Sequence, residues 1–191
     1  MIHKIRHKIV KILAPKIYGD HLLYSQLVTR PMIEAIQQTK MKELIGAEIG
    51  VAKGINALRI LQTLPMKKLF LIDPFLDYYN LGKTVDMRPK YEQAKQRLRD
   101  YPQAVFLRKT SEQAVNELPE LDFVYIDGLH TYEGCKRDIE LYYPIVKNGG
   151  FLGGHDFYGS FQGVIWAVIE FVKNNDLELH TDFYDWWIQK P

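Results

Sequence analysis

The sequence predicts an α/β fold in which helices cover both faces of a mostly parallel sheet that ends in an antiparallel hairpin. Two observations lead to this prediction. Short apolar runs alternate with longer amphipathic stretches, and the last part of the chain holds two strand-like segments with no helix between them. Alternating strands and helices are typical of a parallel sheet. The 191 residues match the size of about one such domain.

Five apolar runs predict the parallel strands, at Leu44–Ile49, Lys68–Ile72, Ala104–Leu107, Leu121–Ile126 and Gly150–Gly154. Helices are predicted between and after them, at about 54–64, 88–100, 111–118, 131–146 and Phe161–Asn174. The fourth run is almost wholly apolar, as a strand buried on both faces is. Leu177–Asp182 and Asp185–Gln189 predict the hairpin at the sheet edge.

Residues 1–40 predict a helical extension, and residues 41–191 the α/β domain. Isoleucines recur at helical spacing near the start of the chain, together with five basic residues, Lys4, Arg6, Lys8, Lys11 and Lys16. This pattern predicts a basic amphipathic helix that ends near Pro15. A second helix is predicted over Leu22–Lys40, with Pro31 in a first turn. Two interpretations of the basic helix stay open. It contacts a membrane surface or covers a binding site, or it packs on its own domain or on a second copy in a homo-oligomer.

Composition excludes several classes of protein. Hydrophobic residues make up 47% and charged residues 25% of the chain, which are ordinary globular values. The single cysteine, Cys135, excludes an intrachain disulfide and a thiolate metal cluster. The apolar run Val164–Ile169 is far too short to span a bilayer, and a net charge of +2 gives no argument for nucleic acid. We therefore expect a cytoplasmic protein, peripheral at the inner membrane face if the basic helix binds lipid, with no nucleic-acid partner.

Sheets of this class bind ligands at the carboxyl ends of their strands. The first predicted strand ends in Glu48 and leads into a turn that contains Gly50 and Gly54. Glycines let a ligand approach the backbone near a helix N-terminus, and a buried acid needs a polar or cationic partner. Asp73 follows the second strand, 23 positions after Gly50, close to the spacing of an acid that binds ribose hydroxyls. The alternative interpretation is structural: a tight turn at the glycines and a turn or cap at Asp73.

The fourth and fifth predicted strands each end in an aspartate with a histidine nearby. Asp127 is followed by His130, and His155 precedes Asp156. Two carboxylates and two imidazoles suit an oxygen-rich divalent metal site, or a general base beside a substrate hydroxyl. The third strand is followed by Ser111, which predicts a helix N-cap and a contact with an adenine edge. A purely structural hydrogen bond from His155 is the other interpretation of that residue.

Taken together, these residues resemble the class I S-adenosylmethionine-dependent methyltransferases. The similarity covers roughly residues 44–190 and depends on four motifs. They are E-I-G-V-A-K-G at Glu48–Gly54, I-D-G-L-H-T-Y-E at Ile126–Glu133, G-G-F-L-G-G-H-D at Gly149–Asp156 and D-W-W-I at Asp185–Ile188. The resemblance implies a Rossmann-like three-layer αβα sandwich whose seven strands have the order 3-2-1-4-5-7-6, with the seventh strand antiparallel.

The resemblance also implies a position for each strand-end residue around the cofactor. Glu48, Gly50 and Gly54 would face its methionine part, Asp73 its ribose, Thr110 and Ser111 its adenine, and Asp127 its sulfonium. Similar metal-dependent O-methyltransferases hold magnesium with the fourth-strand aspartate and an Asp-Asn pair after the fifth strand. Asp127 and Asp156 match two of these ligands, but Phe157 stands in place of the asparagine.

The predicted reaction is methyl transfer from S-adenosylmethionine to a hydroxyl of a small molecule or glycan. The enzyme mainly aligns the two reactants. His130 or His155 would take the acceptor's proton, or a divalent cation, with magnesium favoured, would lower the acceptor's pKa. The segment Phe75–Lys90 is long enough to fold over the acceptor. Tyr184, Trp186 and Trp187 are candidates to stack on it, and core packing is the favoured alternative for at least one of the two tryptophans.

Two other classes of function remain open at this point. A nicotinamide-dependent oxidoreductase would use a similar sheet, but the chain has no G-x-G-x-x-G turn after its first strand. A non-catalytic cofactor-binding partner, or a peripheral membrane module, would keep the cofactor residues without turnover. A turnover assay separates this last class from an enzyme.

Overall fold

The structure, a computed structural model, describes residues 30–80 and 83–191. The helices are α1 Pro31–Gln38, α2 Ile55–Thr63, α3 Arg88–Leu98, α4 Ser111–Ala114, α5 Tyr132–Tyr142 and α6 Gln162–Asn174. The strands are β1 Leu44–Ile49, β2 Met66–Ile72, β3 Tyr78–Asn80, β4 Lys83–Val85, β5 Ala104–Leu107, β6 Leu121–Ile126, β7 Val146–Gly154, β8 His180–Asp182 and β9 Asp185–Gln189. One 3₁₀ turn follows α4 and another follows α5.

Seven strands form one sheet in the order β5-β2-β1-β6-β7-β9-β8. The first five in this order pair in parallel, and β9 pairs antiparallel with both β7 and β8. Numbered along the chain, this order is 3-2-1-4-5-7-6, so the predicted fold class and strand order are confirmed. The chain builds outward from β1 on one side and returns to β6 on the other. Ligands of such sheets bind at this reversal, outside the carboxyl ends of β1 and β6.

Helices pack on both faces of the sheet, which gives three layers. Met32 and Ile33 of α1 join Phe123 of β6 in the apolar core of one face, together with residues of α2 and α3. Ile139 of α5 and Val168 of α6 belong to the core of the opposite face. Every residue of β6 is buried, as its nearly continuous apolar sequence predicts. The two cores hold the strand ends of β1, β6 and β7 in fixed positions.

The structure corrects several predicted boundaries. The helix predicted over 131–146 ends at Tyr142, because Pro144 interrupts it with a 3₁₀ turn and β7 already begins at Val146. The helix predicted over 111–118 is one short turn that continues as a 3₁₀ turn. The strand predicted from Leu177 begins only at His180. The segment predicted to cover the acceptor contains a small antiparallel hairpin, β3–β4, which the sequence did not indicate.

The predicted basic helix before Pro15 lies outside the described residues, and its proposed contacts stay predictions. Pro31 occupies the first turn of α1, as predicted, and its fixed φ suits that position. None of the helices within residues 30–80 and 83–191 is long and apolar enough to cross a membrane.

Candidate active site

The turn after β1 brings the ends of two strands close together. Gly50 has a φ of 86°, and a Cβ at this position would lie 2.0 Å from the carbonyl oxygen of Asp127. The amide of Gly50 donates to Ile72, and the amide of Asp127 donates to Ile49. Gly54, with a φ of 69°, caps α2 and packs against Ala94 of α3. Both glycines are therefore required by the local backbone, because each has a positive φ and a close neighbour within the domain.

Asp73 is buried and holds this turn in place. One of its carboxylate oxygens accepts hydrogen bonds from the amides of Val51 and Ala52, at 3.1 and 2.9 Å, and the other accepts from Phe75 at 2.8 Å. The structural interpretation of Asp73 is thus correct. Its predicted contact with ribose is compatible with these bonds, because a carboxylate has about four acceptor positions, and that contact remains a prediction.

Replacing Asp73 by alanine should therefore affect both folding and cofactor binding. We expect the free energy of unfolding to fall by about 2–3 kcal/mol, since three backbone amides, two of them buried, lose an acceptor, and cofactor binding to weaken by about 1–3 kcal/mol. Urea unfolding and calorimetric titration measure the two effects, with Asp100→Ala, at an exposed position, as the control. Unchanged stability and unchanged binding would contradict this account of the turn.

The structure corrects the prediction for the helix after β5. Thr110, not Ser111, is the N-cap of α4, because its side chain accepts from the amide of Gln113 in a capping box. Ser111 is in the first turn, and its hydroxyl donates to the carboxylate of Asp138 on α5. The adenine contacts implied for Thr110 and Ser111 stay predictions, and both hydroxyls already have partners within the domain.

The strand ends of β6 and β7 bring the predicted acids and imidazoles together. His130 Nε2 lies 2.8 Å from an oxygen of Asp156 and 3.5 Å from an oxygen of Asp127. The other oxygen of Asp156 is 2.9 Å from Nδ1 of His155. Asp156 has a left-handed φ of 63°, a conformation that is uncommon outside glycine and often marks functional sites. The predicted convergence of these four residues is confirmed as geometry.

The protonation of this cluster limits its chemistry. Hydrogen bonding to Asp127 and Asp156 raises the pKa of His130 to about 10, against the effect of its partial burial. Burial by itself raises the pKa of Asp156, but the bonds from His130 and His155 more than offset this, so the pKa lies below its ordinary value. At neutral pH, His130 is therefore an imidazolium between two carboxylates. In that state it cannot accept a proton from an acceptor hydroxyl.

The same three residues are suited to hold a metal ion. Asp127, His130 and Asp156 each offer one ligand atom, and these atoms all lie within 4.8 Å of one another. A divalent cation would take the place of the imidazolium proton between the two carboxylates. Two carboxylates and one imidazole suit magnesium or manganese better than zinc. His155 would then orient Asp156 through the bond from its Nδ1, as outer residues commonly orient metal ligands.

Glu48 lies on the face of the sheet that α1 and α2 cover, and the residue is 1% exposed. Asn56 of α2 donates to one of its oxygens at 2.9 Å, and the other oxygen has no partner among the described residues. Burial, above all, raises the pKa of Glu48 to about 8. Among the described residues, the protein thus supplies a hydrogen-bond partner for only one of the two Glu48 oxygens. The other oxygen is available to a ligand.

A buried ion pair that the sequence analysis missed lies beside the site. Arg30, just before α1, approaches Asp185 of β9 with 3.6 Å between nitrogen and oxygen. The hydroxyl of Tyr125 donates to the same oxygen of Asp185 at 2.9 Å. Burial raises the pKa of Asp185 to about 6, although Arg30 and His155 act in the opposite direction. Tyr125 lies two residues before Asp127 and therefore points to the same face of the sheet, so the sequence could have placed it near the site. No pattern in the sequence indicated that Arg30 pairs with Asp185.

Aromatic side chains surround the acid–imidazole cluster. Phe161 packs on His130 with 4.7 Å between ring centroids, and Tyr158 bridges Phe161 and Tyr184 at 5.2 and 4.5 Å. Tyr184 in turn lies 6.2 Å from His155. Tyr184 is therefore beside the site, as predicted. The other two stacking candidates are elsewhere, since Trp186 is 1% exposed in the core and Trp187 stacks on His180.

The comparisons with known proteins bear on this strand-end site. The sequence profile of a methyltransferase domain matches residues 47–157, which include Glu48, the glycine turn and the Asp-His cluster. The chain belongs to this methyltransferase domain family. No curated protein matches the chain at a significant level. Together with the strand order, the match makes this protein a class I S-adenosylmethionine-dependent methyltransferase.

Solved structures share the fold of this methyltransferase at low identity. A putative rRNA methylase from Clostridium thermocellum is 12% identical, with a TM-score of 0.65 over 84% of this chain and 95% of that one. The O-methyltransferase NovP is 21% identical, with a TM-score of 0.62 over 83% and 79%. MycE, a methyltransferase of the mycinamycin pathway in complex with Mg and SAH, is 14% identical, with a TM-score of 0.57 over 83% of this chain and 48% of that one.

The residues of the switch point fit the methyl donor. The free buried oxygen of Glu48 provides an acceptor at the carboxyl end of β1, and Gly50 lets the turn after it pack against the backbone of Asp127. Glu48, Gly50 and Asp73 would hold the methionine and ribose parts. S-adenosylmethionine supplies an activated methyl group when bound, so the protein's own contribution is alignment and removal of the acceptor's proton. Asp127 and Asp156, placed beside the glycine turn, are the groups that would hold a cation or a proton at this point.

Proposed function

We propose that this methyltransferase methylates a hydroxyl oxygen of a small molecule or glycan, and that it belongs to the branch with I-D-G-x-H and G-H-D motifs after the fourth and fifth strands. The observation that supports this most is the convergence of Asp127, His130 and Asp156 next to the glycine turn. A hydroxyl must lose a proton as it accepts the methyl group, and a cation at this cluster would lower the hydroxyl's pKa.

A magnesium ion held by Asp127, Asp156 and His130 is part of the proposal. The pKa of His130, raised by both carboxylates to about 10, supports the cation over a free imidazole base. The half-buried rings of Tyr158, Phe161 and Tyr184 offer an apolar surface for the ring of an acceptor. NovP, one of the structures with this fold, is an O-methyltransferase, which agrees with the proposal.

Transfer of a labelled methyl group tests this proposal directly. Purified protein is incubated with S-adenosylmethionine that carries a tritiated methyl group and with fractions of an extract from the cells that make it. The fractions contain small molecules, polysaccharides or RNA. We expect label in the first or second fraction, in an ether linkage that resists mild base. Label in the RNA fraction would overturn the proposed acceptor class. RNA is included as an acceptor because a protein described as a putative rRNA methylase shares the fold.

A further inference from the structure

We propose that cofactor binding is coupled to the ionisation of Glu48, which carries a proton in the ligand-free protein and releases it when the ligand's positive charge binds. The inference rests on the proposed function, in that the ligand is S-adenosylmethionine or its demethylated product. It goes beyond that function because it assigns a protonation state and a pH dependence to the binding step.

The surroundings of Glu48 disfavour its ionised form. The residue is 1% exposed, and its register partners on the neighbouring strands are Leu71 and Tyr125. A carboxylate can accept about four hydrogen bonds, but the described part of the chain supplies one, from the neutral amide of Asn56. An ion that has lost its hydration and has a single neutral partner is costly to bury.

The charged groups around Glu48 do not compensate for this. Asp73 after β2 and Asp127 after β6 both oppose a further negative charge, and the neutral Asn56 of α2 donates one hydrogen bond to Glu48. Arg30 favours ionisation, but its guanidinium is already in an ion pair with Asp185. These effects agree with a pKa of about 8, raised mainly by burial. At pH 7 the carboxyl group is therefore mostly neutral.

The ligand supplies the charge that the protein lacks. S-adenosylmethionine carries an ammonium and a sulfonium, and its demethylated product keeps only the ammonium. An opposite charge close to a carboxyl group favours the ionised form. When the ammonium binds, the carboxyl O–H bond breaks, the proton passes to the buffer, and the Glu48 carboxylate remains as the partner of the ammonium. The free oxygen of Glu48 is the atom available for this pairing.

Calorimetry measures the released proton without any methyl transfer. Titrations with the demethylated product are run at pH 6.5, with EDTA present, in buffers of low and high ionisation enthalpy. We expect the wild type to release about one proton per bound ligand, and its affinity to rise about tenfold from pH 6 to pH 7. The ligand's own amine exchanges protons near pH 8, so the quantity of interest is the difference from Glu48→Gln. That variant should release none and bind with little pH dependence.

The exposed Glu120 provides the matched control, and Glu120→Gln should behave as the wild type. Equal proton release by the wild type and Glu48→Gln would overturn the inference. Release with S-adenosylmethionine but not with its product would overturn the pairing with the ammonium. If neither compound binds to the folded wild type, the cofactor assignment itself fails, which is a different result from binding without proton release.

A ligand-free measurement tests the protonation state independently. The pKa of Glu48 is higher in the folded protein, at about 8, than its ordinary 4.5, so its proton stabilises the fold. This stabilisation is complete below the ordinary pKa and is lost as the pH rises through 8. The midpoint of thermal unfolding of the wild type should therefore fall relative to that of Glu48→Gln between pH 5 and pH 8.5. A constant difference between the two proteins over this range would contradict the inference.

Discussion

Asp156→Asn should abolish the binding of a divalent cation and lower the rate of methyl transfer about 100- to 10,000-fold, the usual size of the proton-transfer contribution that the cation supports. The reason is geometric, because Asp156 contacts both His130 and His155 through its two oxygens. An amide is uncharged and has a single oxygen, so it cannot replace both contacts. Titration with Mn²⁺, followed by electron paramagnetic resonance, measures the binding. EDTA should have the same effect on the rate while leaving the affinity for the demethylated cofactor unchanged.

The control for Asp156→Asn is Asp100→Asn, at a surface carboxylate that pairs with Arg99 and is largely exposed. It should bind Mn²⁺ and transfer methyl groups as the wild type does. The competing account has no metal and uses His130 as the base. Full activity in EDTA, together with loss of activity in His130→Ala, would decide for that account and against the cation.

Arg30→Ala should lower the free energy of unfolding by about 3–5 kcal/mol, the usual cost of removing one partner of a buried ion pair. Asp185 is 1% exposed, and without Arg30 its charge would be compensated by the hydroxyl of Tyr125 and the more distant His155 alone among the described groups. Urea denaturation measures the change. Arg30→Lys should recover part of the loss, because it keeps the charge but not the planar geometry of the guanidinium.

Arg99 offers the matched comparison for Arg30, because it forms an ion pair with Asp100 at the surface. The Arg99 side chain is 62% exposed and the Asp100 side chain 79%. Arg99→Ala should change stability by no more than about 0.5 kcal/mol. If Arg30→Ala were equally mild, the ion pair with Asp185 would not be a structural anchor of the site.

The strand ends were predictable because short continuous apolar runs mark parallel strands that are buried on both faces. β1, β5, β6 and β9 have the predicted bounds. Asp73, Asp127 and Asp156 follow the parallel strands β2, β6 and β7, and they lie at one edge of the sheet for that reason. The convergence of Asp127, His130, Asp156 and His155 follows from the parallel pairing of β6 and β7. Local sequence was therefore sufficient for the place of the site and for most of its acids.

The sequence analysis missed one contact between residues that are distant in sequence and two local features. Arg30 pairs with Asp185 across more than half of the chain, and no local pattern indicates which of many basic residues becomes buried. Thr110 and Ser111 differ by one position as candidates for the N-cap. Helix boundaries predicted from sequence are uncertain by more than one residue. The hairpin β3–β4 pairs only three residues on each strand, too few to give a clear alternation.

The turn between Glu48 and Gly54, together with Asp73, is proposed to bind S-adenosylmethionine. Calorimetric titration of the folded protein with the demethylated product is the measurement that decides this. We predict one site of micromolar affinity in the wild type. We also predict that Gly50→Val distorts this turn and thereby abolishes binding, because even a Cβ at this position would lie 2.0 Å from the carbonyl oxygen of Asp127. The absence of binding to the folded wild type, for both the product and S-adenosylmethionine, would contradict the account.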